Sequence, residues 1–157
     1  MPFIQPYNMR HPGLKITSAA PNPVLAETDI SCYGRAFTTK PTQEITKNTT
    51  FCGSFSTASA PEWEITFRVF QSFGTEGLWT VLHPLMGYVV DFEHTPDADA
   101  PISVDNPVMS GQLRVPYFSF LEGEEGLPSE FDIVFTVEGT PTFGITDPVA
   151  LDEEAAA

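Results

Sequence analysis

The chain has 157 residues, with seven Lys and Arg against 21 Asp and Glu, so its formal charge is 7 − 21 = −14. Tight binding of DNA or RNA depends on Lys and Arg replacing counterions along the phosphates, and this composition argues against that class of protein. A chain of this length is expected to form one domain with a sizeable core. We therefore predict a folded, acidic, single-domain protein.

The charge is distributed unevenly along the chain. Residues 1–75 carry six basic and five acidic side chains, a net of +1, whereas residues 76–157 carry one arginine and sixteen acids, a net of −15. Two surfaces of different charge on one subunit would let copies attract each other head to tail. Acidic loops that only keep the protein soluble are the alternative.

Residues 1–25 are predicted to form an extended N-terminal arm, because five prolines fall within them and obstruct regular structure. The segment lacks the basic start and apolar stretch of a secretory signal, and no apolar run in the chain is long enough to span a membrane. We expect synthesis in a cytosol and no membrane partner. In that compartment Cys32 and Cys52 are predicted to be free, buried thiols.

The domain is predicted over residues 26–146, beginning with a strand at residues 28–37. Residues 38–61 are rich in Thr, Ser, Asn and Lys and include three isolated apolar residues, Ile45, Phe51 and Phe55. A connection of this length is typical of a loop that is functional or becomes ordered on a partner. A wide hairpin within the sheet is the alternative interpretation.

A clean alternation from Glu62 to Phe70 predicts a half-buried core strand. Residues 75–86 are predicted to form one short helix, with Thr75 as its cap and Gly87 at its end. Pro84 is expected to end or kink this helix, and Trp79 and Leu82 are expected to pack on the sheet.

The second half predicts three more strands, at residues 88–93, 109–119 and 131–138, with Pro116 breaking the second or placing it at an edge. Acidic loops separate them, and residues 147–157 are predicted to form an acidic C-terminal tail. The fold class predicted from these patterns is mostly β, with five or six strands and one helix between them.

No catalytic motif or phosphate-binding loop occurs in the chain, so we predict that the protein is not an enzyme and has no cofactor. Two weak metal candidates are the group Asp91, Glu93 and His94 and the loop carboxylates Asp97, Asp99 and Asp105. A solvated strand face explains the first group equally well, and the second lacks the glycine and distal glutamate of a helix–loop–helix calcium site. We predict no bound metal.

From about Ile65 to Pro141 the order of features resembles the major tail proteins, or tail tube proteins, of long-tailed (siphovirus-type) bacteriophages. The features are a strand, the helix start Gly77-Leu78-Trp79, an acidic strand after Gly87, and a strand ending in Pro116. They continue with Gly123-Glu-Glu-Gly126 and close with a strand running to Glu138-Gly-Thr-Pro141. The segment from Pro101 to Gly111, Pro-Ile-Ser-Val-Asp-Asn-Pro-Val-Met-Ser-Gly, belongs to the same pattern. The resemblance covers about half of the chain.

The resemblance implies a β-sandwich or barrel-like tail-tube domain with one short flanking helix, an extended N-terminal arm and a long inter-subunit loop. Copies would form stacked, hexameric rings, a conduit through which DNA passes as a transient, non-adhering cargo. Other partners would be the tape measure, tail terminator and distal tail proteins. The location would be the virion tail, assembled in the host cytoplasm.

On this reading the loop and its neighbourhood make the inter-subunit contacts, and acidic side chains face the lumen or a contact. The contact candidates are Arg35, Lys40, Lys47, Phe51 and Phe55. The acidic candidates are Asp91, Glu93, Glu122, Glu124 and Glu125.

Two other functions remain open from the sequence. A capsid decoration or cement protein of a phage head is also a compact β domain with an extended arm. A carbohydrate-binding β-sandwich would use Trp63, Trp79 or Tyr117 to stack on sugar, although both tryptophans lie in apolar periodic runs that favour core packing.

Overall fold

A computed structural model describes residues 11–119 and 124–145. The fold is mostly β, with a large antiparallel sheet and one short helix, as the sequence predicts. The elements are β1 (Gly13–Ser18), β2 (Leu25–Asp29), β3 (Gly34–Thr42), β4 (Ile45–Thr50), β5 (Gly53–Ala58), β6 (Glu62–Phe70), α1 (Leu78–Leu82), β7 (Val89–Thr95), β8 (Val108–Arg114) and β9 (Glu130–Gly144).

Seven strands form one sheet in the order β2-β1-β7-β8-β9-β6-β3, and every neighbouring pair is antiparallel. The remaining two strands, β4 and β5, pair only with each other among the described residues. Strands from the first and second halves of the chain therefore lie side by side, with β1 next to β7 and β6 next to β9.

The predicted arm is wrong for the part of residues 1–25 that the structure describes. Residues 13–18 form β1, an interior strand between β2 and β7. Leu14 and Ile16 are fully buried, because they point from β1 into the core. The prolines at 12 and 21 flank this strand and do not interrupt it. Residues 1–10, the start of the predicted arm, lie outside the described residues, as does the predicted C-terminal tail.

The predicted strand at residues 28–37 is divided in two. A 3₁₀ turn at Ser31–Tyr33 separates β2 from β3 and carries the chain from one edge of the sheet to the other. Two hydrogen bonds hold this turn: the backbone N–H of Ile30 donates to the carbonyl of Leu14 at 2.9 Å, and that of Ser31 donates to the Asp29 carboxylate at 2.9 Å. Ile30 is fully buried, so the division is an anchored feature of the fold.

The core lies on one face of the sheet, called here the inner face. The alternation predicted for β6 is confirmed, since Ile65, Phe67 and Val69 are all fully buried. The other inner-face residues and the helix complete one cluster that includes Leu14, Ile16, Val90, Phe92, Met109, Leu113, Ile133, Phe135, Val137, Leu78, Leu82 and Leu85. A single apolar core therefore lies between the sheet and the short helix.

The helix is shorter than predicted. It spans Leu78–Leu82 and continues as a 3₁₀ turn at His83–Leu85, so Pro84 ends the α-helix as expected. Thr75 is not its cap; the Ser72 hydroxyl accepts the backbone N–H of Leu78 at 2.9 Å. Leu82 packs in the core as predicted, but Trp79 is only half-buried and stacks on His83 with ring centroids 4.1 Å apart.

The sheet curls so that its β3 edge approaches β7. The ring of Phe37 on β3 lies 4.2 Å from that of Phe67 and 5.1 Å from the imidazole of His94 on β7. Strand β9 bends where Gly139 takes a φ of 71°. Between the Gln112–Glu138 and Ser110–Thr142 pairs, three residues of β9 lie opposite a single residue of β8. This bend lets β9 continue past Pro141, well beyond the predicted end at residue 138.

Candidate assembly surfaces

The most unusual feature of the described chain is a projecting hairpin, residues 40–62. Every residue in this range is exposed, yet β4 and β5 pair in unbroken antiparallel register from Ile45 opposite Ala58 to Thr50 opposite Gly53. A two-stranded hairpin alone in water is marginally stable at best. The interpretation of residues 38–61 as a hairpin is thus correct, but its expected place within the sheet is wrong, since β4 and β5 form a separate two-stranded sheet. From residue 40 to residue 62 neither face of the hairpin is covered by the described residues.

The hairpin has a defined joint where it leaves the sheet. Residues 43–44 on one strand face residues 59–61 on the other, between the Thr42–Glu62 and Ile45–Ala58 pairs. The backbone N–H of Ser59 donates to the carbonyl of Glu44 at 2.9 Å, and the N–H of Glu44 donates to the Ser59 hydroxyl at 3.0 Å. These bonds hold the hairpin to the sheet through the irregular step.

The structure divides the predicted contact residues into two places. Lys47, Phe51 and Phe55 lie on the projecting hairpin; Phe51, at the tip, is fully exposed, and Phe55 is 54% exposed. Lys40 lies at the hairpin base, opposite Glu64. Arg35 lies outside the hairpin at the start of β3, and its guanidinium is 2.7 Å from the Glu130 carboxylate.

The acidic candidates Asp91 and Glu93 lie side by side on the outer face of the sheet, opposite the core, as the alternation of β7 predicts. This face is polar but not purely acidic. Lys15 is opposite Glu93 in the β1–β7 register, and the Gln112 amide donates to Asp91 at 3.2 Å. Five of the seven basic residues of the chain lie on this face: Lys15, Arg35, Lys40, Arg68 and Arg114.

Ion pairs across neighbouring strands hold much of this outer face together. Arg68 forms a two-pronged pair with Asp132, with N–O distances of 2.9 and 3.2 Å, and Arg114 contacts Glu138 at 2.9 Å. The hydrogen bond from Arg68 lowers the pKa of Asp132 below its usual value. These side chains are exposed, so each pair stabilises the fold only modestly.

The other acidic candidates are on a different part of the molecule. Glu124 and Glu125 are exposed in a turn that is closed by the Leu127 N–H donating to the Glu124 carbonyl at 3.2 Å. Glu122 lies outside the described residues. The structure therefore does not bring this turn together with Asp91 and Glu93 on one strand face.

The acidic loop at residues 96–107 is organised by a buried side chain. The Asn106 amide donates to the carbonyls of Asp97, Ala100 and Pro101, and its oxygen accepts the Asp97 N–H at 3.0 Å. Asp99 contacts His11 at 2.8 Å and raises the pKa of that histidine. Within the described ranges no cluster of three His, Cys, Asp or Glu side chains is arranged to hold a metal ion.

His94, which we considered as a metal ligand, is instead a core residue. It is only 7% exposed, on the inner face, and its Nδ1 lies 2.8 Å from the carbonyl oxygen of Gly13. Burial lowers the pKa of His94 below 6.5. The neutral ring donates Nδ1–H to that carbonyl, so its tautomer is set by the hydrogen bond.

The cysteines and the candidate sugar-stacking aromatics take unexpected positions. Cys32 and Cys52 are free, as predicted, but both are exposed and not buried. Trp63 is half-buried beside Phe143, with ring centroids 5.2 Å apart, whereas Tyr117 is 81% exposed. Together with half-buried Trp79, these aromatics do not form one platform.

Sequence reasoning missed an apolar groove of about 250 Å³ at the base of the projecting hairpin. Six of its eight lining residues are apolar: Trp63, Pro96, Pro107, Val108, Met109 and Phe143. Thr39 and His94 complete the lining. The groove brings together residues from five separate parts of the chain, and of its lining residues only Trp63 and Met109 lie in strands that the sequence predicts.

The chain matches no protein-family model, and a search of curated proteins finds no similar sequence. Within the part of the chain that is described, no helix has the length and apolar character needed to cross a membrane.

Proposed function

We propose that the protein is a structural virion protein that polymerises, as stacked six-membered rings, into the tail tube of a long-tailed bacteriophage. The observation that carries the proposal is the projecting hairpin, in which 23 consecutive residues are exposed although the strands are regularly paired. A hairpin without a core of its own is stabilised when another surface covers it. A second copy of the chain is the partner that a repeating assembly would supply.

The two edges of the sheet support side-by-side association. Among the described residues, β2 and β3 each pair on one side only, which leaves a row of backbone N–H and C=O groups at each edge. Strand β2 is short, whereas β3 has nine residues. Edge pairing between neighbouring copies would join these sheets around a ring, as the resemblance to tail tube proteins implies.

In this arrangement the outer face of the sheet is the candidate wall of the bore. It is polar, no helix of the described residues packs on it, and its acids and bases largely pair with one another. Such a wall has no uncompensated row of lysines and arginines to hold phosphates, so DNA would pass as a non-adhering cargo. Tape measure, tail terminator and distal tail proteins would be the further partners, in the virion.

The test is negative-stain microscopy and sedimentation of the purified full chain over a range of concentrations. The proposal predicts hollow tubes or six-fold rings that grow with concentration. Compact trimers would favour a capsid decoration protein, and a strict monomer at every concentration would contradict any self-assembling role. Retention on a panel of immobilised polysaccharides would favour the carbohydrate-binding alternative.

A further inference from the structure

We infer that the apolar groove at the hairpin base receives the hairpin tip of a second copy, with Phe51 as the inserted side chain. This inference rests on the proposed function and deepens it, because it names the two surfaces that join stacked copies. The first observation is that one chain offers both halves of such a contact. Phe51 is fully exposed at the tip, and the groove is lined mainly by apolar side chains.

The groove has the composition of a contact site. Phe143 remains 56% exposed and Trp63 is half-buried, so both aromatic rings have surface left to cover. Aromatic side chains that insert into apolar pockets contribute most of the binding energy at protein interfaces. An inserted phenylalanine ring would lie against Trp63 and Phe143 and would remove all three from water.

The charges around the two surfaces are complementary. The hairpin end, residues 45–58, carries Lys47 and no acidic residue. The loop that supplies Pro96 and Pro107 to the groove carries Asp97, Asp99 and Asp105. The hairpin end and this loop therefore differ in the sign of their net charge and attract each other, whereas two hairpin ends or two such loops repel each other.

The tip that enters the groove belongs to a second copy, because the hairpin of the same chain extends away from its own groove. The hairpin extends eleven residues from Lys40 at its base to Phe51, which is about 36 Å for an extended strand, and all of these residues are exposed. Strand β6 has nine residues, or about 30 Å at the same rise. The hairpin is therefore long enough to pass the body of a neighbouring copy.

A contact between two different surfaces of the same chain does not close on itself. Each copy that receives a tip still offers its own tip, and each copy that gives a tip still offers its groove. Such a contact propagates along an axis, which is the behaviour that a tube of stacked rings requires. The tip and groove thus form one heterologous interface of the proposed assembly.

Cysteine cross-linking tests this contact directly, since Cys52 is exposed next to Phe51. In a Cys32→Ser background, Pro107→Cys places a second thiol at the groove, and Thr136→Cys places it on the exposed outer face as a matched control. Treatment of the assembled protein with a short bismaleimide is expected to give a ladder of trimers and longer products for the Pro107→Cys protein. The control is expected to give dimers at most.

Assembly measurements give a second test. Phe51→Ser is expected to raise the critical concentration for assembly about tenfold to a hundredfold, and Phe143→Ser on the groove is expected to act in the same direction. Leu127→Ser removes a similarly exposed apolar side chain from another loop and is expected to change nothing. Unfolding of each monomer is measured in parallel to show that the variants fold.

The outcomes separate the two proposals. Tubes or rings that form without a ladder from Pro107→Cys would overturn the tip-in-groove contact and leave the proposed function standing. A monomer at every concentration would overturn both. A groove thiol that becomes reactive to maleimide only after residues 1–10 are deleted would identify the chain's own N-terminal segment as the occupant, and would also overturn the contact.

Discussion

Removal of the projecting hairpin should separate folding from assembly. Replacing residues 45–58 by the dipeptide Asn-Gly would join Glu44 to Ser59 through a two-residue turn. The hydrogen bond that closes such a turn is already present, since the Ser59 N–H donates to the Glu44 carbonyl at 2.9 Å. Asn-Gly favours the turn type that matches the twist of paired strands. The shortened chain therefore has a ready connection between β3 and β6.

The expected change in stability is small. All 14 deleted residues are exposed, so their removal uncovers no core side chain. The connection between Thr42 and Glu62 falls from 19 residues to seven, because 14 are removed and two are added. If the longer connection costs only chain entropy, the shorter one stabilises the fold by (3/2)RT ln(19/7), which is about 0.9 kcal/mol. For a domain of this size that is a rise in melting temperature of about 2–4 °C.

Urea unfolding followed by tryptophan fluorescence, together with sedimentation, measures both effects in one preparation. The shortened protein is expected to match or slightly exceed the full chain in free energy of unfolding and to form no tubes. A loss of more than about 2 kcal/mol would mean that the hairpin supports the monomer's fold. Normal tubes from the shortened protein would refute the role of the hairpin in stacking.

Other expected outcomes concern the core, a buried histidine and the two lysines. Phe67→Ala should lower the free energy of unfolding by about 3–5 kcal/mol in urea titrations, because Phe67 is fully buried and stacked on Phe37; a cost below about 1 kcal/mol would contradict the described core. The free energy of unfolding should fall as the pH drops below about 6.5, since His94 is protonated more readily in the unfolded chain than in the folded one. His94→Gln should flatten this pH dependence. An unchanged slope would refute the protonation of His94 as its cause. Lys47→Glu should weaken assembly without altering the monomer's melting temperature. Lys40→Glu should weaken assembly and also destabilise the monomer slightly, because Lys40 is opposite Glu64 and the substitution places two carboxylates together. Equal melting temperatures for the two variants would count against the pairing of Lys40 with Glu64.

Local sequence patterns predicted the strands whose two faces differ in polarity. The alternation of β6 is visible in the sequence because its inner residues are apolar and its outer residues are polar, and the structure buries Ile65 and Phe67 as expected. Strand β1 was missed because the prolines around it dominate the composition of residues 1–25. Burial of Leu14 and Ile16 depends on β7, which is distant in sequence, and no local pattern contains that information.

The candidate assembly surfaces were predictable to different degrees. A long polar segment indicated that residues 38–61 are unusual, but its regular pairing was not evident, since β4 and β5 have no apolar face to mark their alternation. The groove could not be predicted, because Trp63, Pro96 and Phe143 come together only when the sheet curls and β9 bends at Gly139.

Over residues 11–119 and 124–145, the charge asymmetry along the chain does not persist as two opposed patches. Antiparallel pairing places strands of the nearly neutral first half beside strands of the acidic second half, so Arg35 is paired with Glu130, and Arg68 with Asp132. Most basic residues are therefore used within their own subunit and are not left to attract a neighbour. Stacking through the hairpin then depends mainly on apolar contact by Phe51, with Lys47 in a secondary role. Assembly driven by apolar burial persists when salt screens exposed charges at ionic strengths near 1 M, where the Debye length is about 3 Å, whereas assembly driven by opposed charged patches dissolves under those conditions.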